Sequence, residues 1–79
     1  MLGAMKIELR FLLKKLGTAD PAEPLQIYVD GVLESRHVNK GEVKDHLVRI
    51  GVDPKLADAQ LKPLSPTNHS IVFEVPAKS

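Results

Sequence analysis

The chain has no cysteine, one tyrosine and two phenylalanines. The missing cysteine excludes disulfide staples, thiolate metal sites and cysteine nucleophiles, and it fits a cytosolic compartment. Aromatic residues make up only 4% of the sequence, so Leu, Val and Ile, anchored by Phe11, Phe73 and Tyr28, must supply most of the buried surface. A dominant charge sign is also missing. Eleven basic and ten acidic side chains give a formal net charge of +1, which leaves no global field to hold a polyanion. No run approaches the ~18 apolar residues of a membrane span, and charges interrupt the opening MLGAMKIELRFLLKKLG where a signal peptide would be uniformly apolar. Neither a repeat nor a low-complexity tract divides the chain. The expectation is a cytoplasmic protein with no membrane contact.

What is present is patterned. At 79 residues the chain has room for one core. Met5-Lys6 reads as a natural start, with residues 1–4 a leader or appended remnant and residues 5–79 a single domain. KIELRFLLK, residues 6–14, alternates: Ile7, Leu9, Phe11 and Leu13 share one face, and Lys6, Glu8, Arg10, Leu12 and Lys14 the other. That period predicts a half-buried strand, since helical spacing would scatter the same apolar residues around a cylinder. GTADPAEP, residues 17–24, predicts a loop, because its two prolines fix φ and remove donors.

LQIYVDGVLES, residues 25–35, predicts a hairpin. A two-residue Asp30-Gly31 turn would bring Glu34 beside Ile27 on the buried side. A three-residue Val29-Asp30-Gly31 loop avoids this by pairing Tyr28 with Val32, Ile27 with Leu33 and Gln26 with Glu34. That register puts Leu25, Ile27 and Leu33 on the core face.

Asn39 followed by Glu42 marks a capped helix start. Val43, Leu47 and Ile50 make its apolar stripe, and Gly51 suits the left-handed position past its end. Asp53 and Pro54 start a second helix whose Leu56, Ala57, Leu61 and Leu64 turn inward and which ends near Pro63. After a turn at SPTN, residues 65–68, HSIVFEV alternates again with Ile71, Phe73 and Val75 together, and Pro76 stops it. The predicted fold is α+β: a two-layer sandwich of the order β-β-β-α-α-β, with an antiparallel four-stranded sheet in spatial order 3-2-1-4 and two helices on one face.

Candidate chemistry is sparse. HLVRIGVDPKLADAQL has a helix, glycine turn, helix layout like that of DNA-reading motifs, but Asp53 and Asp58 sit among Lys55, Gln60 and Lys62 and would repel phosphate. Packing on a sheet explains the same pattern. His37, His46 and His69 lack the spacing of a zinc site. His69 and Ser70 are adjacent on a strand and therefore point to opposite faces, which argues against a nucleophile and base pair. Asn68-His69-Ser70 matches a glycosylation acceptor, but with no secretory route expected the match is read as coincidence. Glu8, Glu34 and Glu74 are better read as solvated strand positions beside Arg10, Lys6 and Arg36 than as acid and base catalysts. No cofactor, metal or catalytic residue is expected, and the chain is not read as an enzyme.

The departure from the pattern lies on the outward sheet face, where Leu12, Tyr28, Val32 and Val72 interrupt the polar positions. Isolated surface hydrophobics are ordinary. Gathered on central strands, however, these would make an association surface. The reading is a small non-enzymatic interaction or regulatory module that forms a homodimer or binds a protein partner through Leu12, Tyr28, Val32, Val72 and Arg10, with Lys6, Gln26, Glu34 and Glu74 as polar rim. The alternative is nucleic-acid binding, by Lys6, Arg10, Lys14 and Lys15 along the first strand or by Lys55, Gln60 and Lys62 on the helix pair.

Overall fold

A computed structural model describes residues 3–12 and 23–76. Strands β1 (Ala4–Phe11), β2 (Leu25–Val29) and β3 (Val32–His37) are followed by helices α1 (Lys40–Arg49) and α2 (Pro54–Leu61) and by strand β4 (Ser70–Pro76). The four strands form one antiparallel sheet in the order β3-β2-β1-β4. This is the predicted fold class and strand order. The predicted loop lies mostly outside the described residues, as do Leu13, Lys14 and Lys15.

The period-two alternation sets the core. Ile7, Leu9 and Ile27 are fully buried, and Leu25 and Val75 nearly so. They share the sheet face that packs on Val43, Leu47, Val52, Ala57, Leu61 and Leu64. Each aliphatic side chain of this size contributes roughly 1.5–3 kcal/mol on burial, so this cluster provides the main driving force for folding.

Local signals fix the helices. The Asn39 side chain accepts from the Glu42 backbone N–H at 2.9 Å, and the Asp53 side chain accepts from the N–H groups of Lys55 and Leu56. Between the helices, Gly51 takes φ +108°. Its N–H donates to the Val48 carbonyl, and the Val52 N–H donates to the Leu47 carbonyl. These two bonds form a Schellman turn, and the side chains it brings together, Leu47 and Val52, are both buried.

The hairpin departs from the expected register. Asp30 and Gly31 both have positive φ, +51° and +84°, as in a two-residue type I′ turn. Val29 therefore pairs with Val32 and Tyr28 with Leu33, and a bulge then makes Ser35, not Glu34, the partner of Ile27. The extra residue, Glu34, removes the parity conflict that a two-residue turn would otherwise create. Leu33 is consequently not a core residue. It shares the outward face with Tyr28 and is 36% exposed.

Candidate functional site

The outward face is built by register. Cross-strand neighbours lie on the same side of a sheet, so one row runs Leu33, Tyr28, Glu8, Val72 and the next Arg36, Gln26, Arg10, Ser70. Lys6 and Glu74 pair in the row beyond. Among the described residues no helix lies over this face.

A linked polar group occupies its middle. The Arg10 guanidinium stacks 4.7 Å from the Tyr28 ring centroid and bonds the Glu8 carboxylate. Ser70 Oγ donates to the same carboxylate at 3.2 Å, and the Tyr28 hydroxyl donates to Gln26 Oε1 at 3.1 Å. The Glu8 carboxylate, by hydrogen bond and by charge, holds Arg10 even more firmly protonated than usual.

Of the residues expected to form the contact surface, Tyr28, Arg10 and Val72 lie on the outward face, and Leu12 follows β1 at its end. Val32 does not belong there. Paired with Val29, it sits at the hairpin tip on the helix side, 67% exposed, and Leu33 takes the position assigned to it. Glu34 also leaves the expected rim: it reaches toward α1, with its carboxylate 3.9 Å from His46 Nε2, and Arg36 becomes the neighbour of Gln26. The first correction follows from the two-residue turn and the second from the bulge. The apolar positions also do not form one uninterrupted patch, because Glu8 separates Val72 from Tyr28.

On the helix side, the fold brings together residues that sequence spacing kept apart. The rings of His37, at the end of β3, and His46, in α1, lie 5.4 Å apart. They line a cleft of about 220 Å³ with Glu42, Asp45 and Arg49. Ser35 Oγ is 2.8 Å from His37 Nε2, and Glu42 Oε1 is 3.6 Å from His37 Nδ1. The connectivity is that of a serine, histidine, acid triad. The geometry is not: the acid is beyond hydrogen-bond distance, and Ser35 is not among the residues lining the cleft. The Ser35 contact instead satisfies a half-buried imidazole. Among the described residues no group of three or more His, Cys, Asp or Glu could hold a metal ion, and His69 lies exposed ahead of β4.

His46 carries the one buried side-chain nitrogen without a hydrogen-bond partner among the described residues, Nε2. Burial pushes its pKa below the usual histidine range, and His37 and Arg49 push the same way against the opposing pull of Glu34. The signal available in sequence was only that His37 precedes a helix and His46 lies inside it.

Of the residues of the nucleic-acid alternative, Lys14 and Lys15 lie outside the described residues, and the others fall in two groups, on β1 and at α2. Lys6 and Arg10 lie on the outward face, where Lys6 neighbours Glu74 and Arg10 is held by Glu8. Lys55, Gln60 and Lys62 lie along or just past α2, whose Asp58 bridges to Lys44 at 2.9 Å and whose start is capped by Asp53. None of the described helices is long and apolar enough to cross a membrane. Compared with protein-family models, with curated proteins and with solved structures, the chain matches none of them.

Proposed function

We propose that the protein is a small, non-enzymatic cytoplasmic interaction module that contacts another protein chain through the outward face of its sheet. The observation that carries this reading is the stacked Arg10 and Tyr28 pair at the middle of that face, with Leu33 beside it. Tyrosine and arginine are, with tryptophan, the residues enriched where binding energy concentrates. Here both are held in place before any partner arrives, Tyr28 by Gln26 and Arg10 by Glu8. Pre-ordering of this kind reduces the entropy lost on association.

Tyr28 is the only tyrosine, so its ring resonances report contact at this face directly. Raising the protein concentration, or adding a protein that co-purifies with it, should shift those resonances. Leu12→Glu or Leu33→Glu should weaken the same association by about tenfold or more, the effect of burying a charge in an apolar contact. Tyr28 resonances that stay fixed under both conditions, with Leu12→Glu leaving every association intact, would reject the proposal.

A further inference from the structure

We infer that two copies of the chain join edge to edge through β4, making one continuous eight-stranded antiparallel sheet. The hydrogen-bonding phase of β4 is readable from its neighbours. The Phe11 N–H donates to the His69 carbonyl, whereas the Leu12 N–H donates to Pro24 and the Asp30 N–H to Lys6 on the opposite side of β1. Odd positions of β1 therefore bond β4 and even positions bond β2. With Leu9 opposite Ile71 and Ile7 opposite Phe73, the N–H and C=O groups of Ser70, Val72 and Glu74 point away from β1, toward the edge on which no described strand pairs.

These groups complement themselves under a twofold axis. Placing Val72 opposite Val72 of a second copy sets Ser70 opposite Glu74 on both sides, and every facing pair exchanges two backbone hydrogen bonds. Pro76, which has no N–H, falls just beyond this run, at the next outward position. On the outward face the register extends one row, Lys6, Glu74, then Ser70 and Arg10 of the second copy, which sets the Glu74 carboxylate between two cations. On the helix side, Ile71 of each copy meets Phe73 of the other. Both residues are only half-buried in the single chain, so pairing covers them.

The opposite edge lacks this regularity. In β3 the bulge places the outward-directed Leu33 and Arg36 three residues apart, which breaks the two-residue repeat that a partner strand needs. Pairing is thus directed to β4, and a twofold contact there closes after two copies.

The inference is independent of the outward-face proposal, because edge pairing uses backbone groups in the plane of the sheet and leaves Tyr28 and Leu33 free. The absence of cysteine makes single-cysteine cross-linking clean. In Val72→Cys the two thiols should face each other with Cα atoms about 5.5 Å apart, within disulfide reach. In Glu74→Cys they would be about 14 Å apart, outside it. Leu33→Cys reports face-to-face association instead. Under mild oxidation, Val72→Cys should give about tenfold more covalent dimer than either control, as those distances require.

Sedimentation of the unmodified chain should plateau at twice the monomer mass. Val72→Pro removes only an outward-directed N–H, so it should return the mass to monomer with the circular-dichroism spectrum retained. A monomer throughout the concentration series, a mass that grows without plateau, or cross-linking of Val72→Cys no greater than that of the controls would each overturn the inference. Selective cross-linking of Leu33→Cys would do the same while favouring the face.

Discussion

The backbone N–H of Lys6 donates to Asp30 Oδ1 at 3.0 Å, and the Asp30 N–H returns a bond to the Lys6 carbonyl at 2.8 Å. The tip of the β2–β3 hairpin is thereby fastened to β1, so a turn residue takes part in the pairing of the central strands. Asp30 also sits at φ +51°, where Asn and Asp are tolerated and most side chains are not. Asp30→Ala should therefore lower stability by about 2 kcal/mol, combining the left-handed penalty with a lost acceptor. Asp30→Asn keeps both features and should stay within about 0.5 kcal/mol. Urea denaturation of the pair checks this, and equal losses would show that the Lys6 contact contributes nothing beyond charge.

Gly51 holds the turn between the helices at φ +108°. Gly51→Ala should cost roughly 1–2 kcal/mol, because a Cβ disfavours that conformation. The loss should appear as a lower denaturation midpoint with the slope unchanged.

Acidification should destabilise the fold through His46. Its folded pKa lies below the ordinary value of 6.5, so the unfolded chain binds the proton more readily. The contribution is complete above pH about 6.5 and is lost as the pH falls through the folded-state value. The groups facing it are His37 and Glu34 from β3 and Glu42, Asp45 and Arg49 from α1. Melting temperatures between pH 7.5 and 5.5 should fall for the natural chain and fall less for His46→Gln. Parallel curves would mean that another group carries the dependence.

Nucleic acid should not be bound. Arg10 is held against Glu8, Lys6 neighbours Glu74 and Lys44 bridges to Asp58, so these cations offer little free charge to a phosphate backbone. Anisotropy titrations with duplex and single-stranded DNA and RNA at low salt should stay flat. A rise that weakens with added salt would revive that reading.

The fold was largely legible because its signals are local. Alternation at Ile7, Leu9 and Phe11 and at Ile71, Phe73 and Val75 places strands. Asn39, Gly51, Asp53 and Pro54 mark helix ends through contacts with residues a few positions away. The make-up of the outward face was legible only in part, with Tyr28, Arg10 and Val72 on it as expected and Val32 off it. The two-residue turn at Asp30-Gly31 moved Leu33 into that place.

By itself the sequence determined which segments extend, which coil and where each helix stops, since periodicity and capping depend on neighbours along the chain. Tertiary structure alone decided the hairpin register, the outward position of Leu33 and the meeting of His37 with His46. Parity permits either a longer loop or a tight turn with a bulge. The tight turn seen here carries Asp30 onto Lys6, and that strand, distant in sequence, is one local rules could not include.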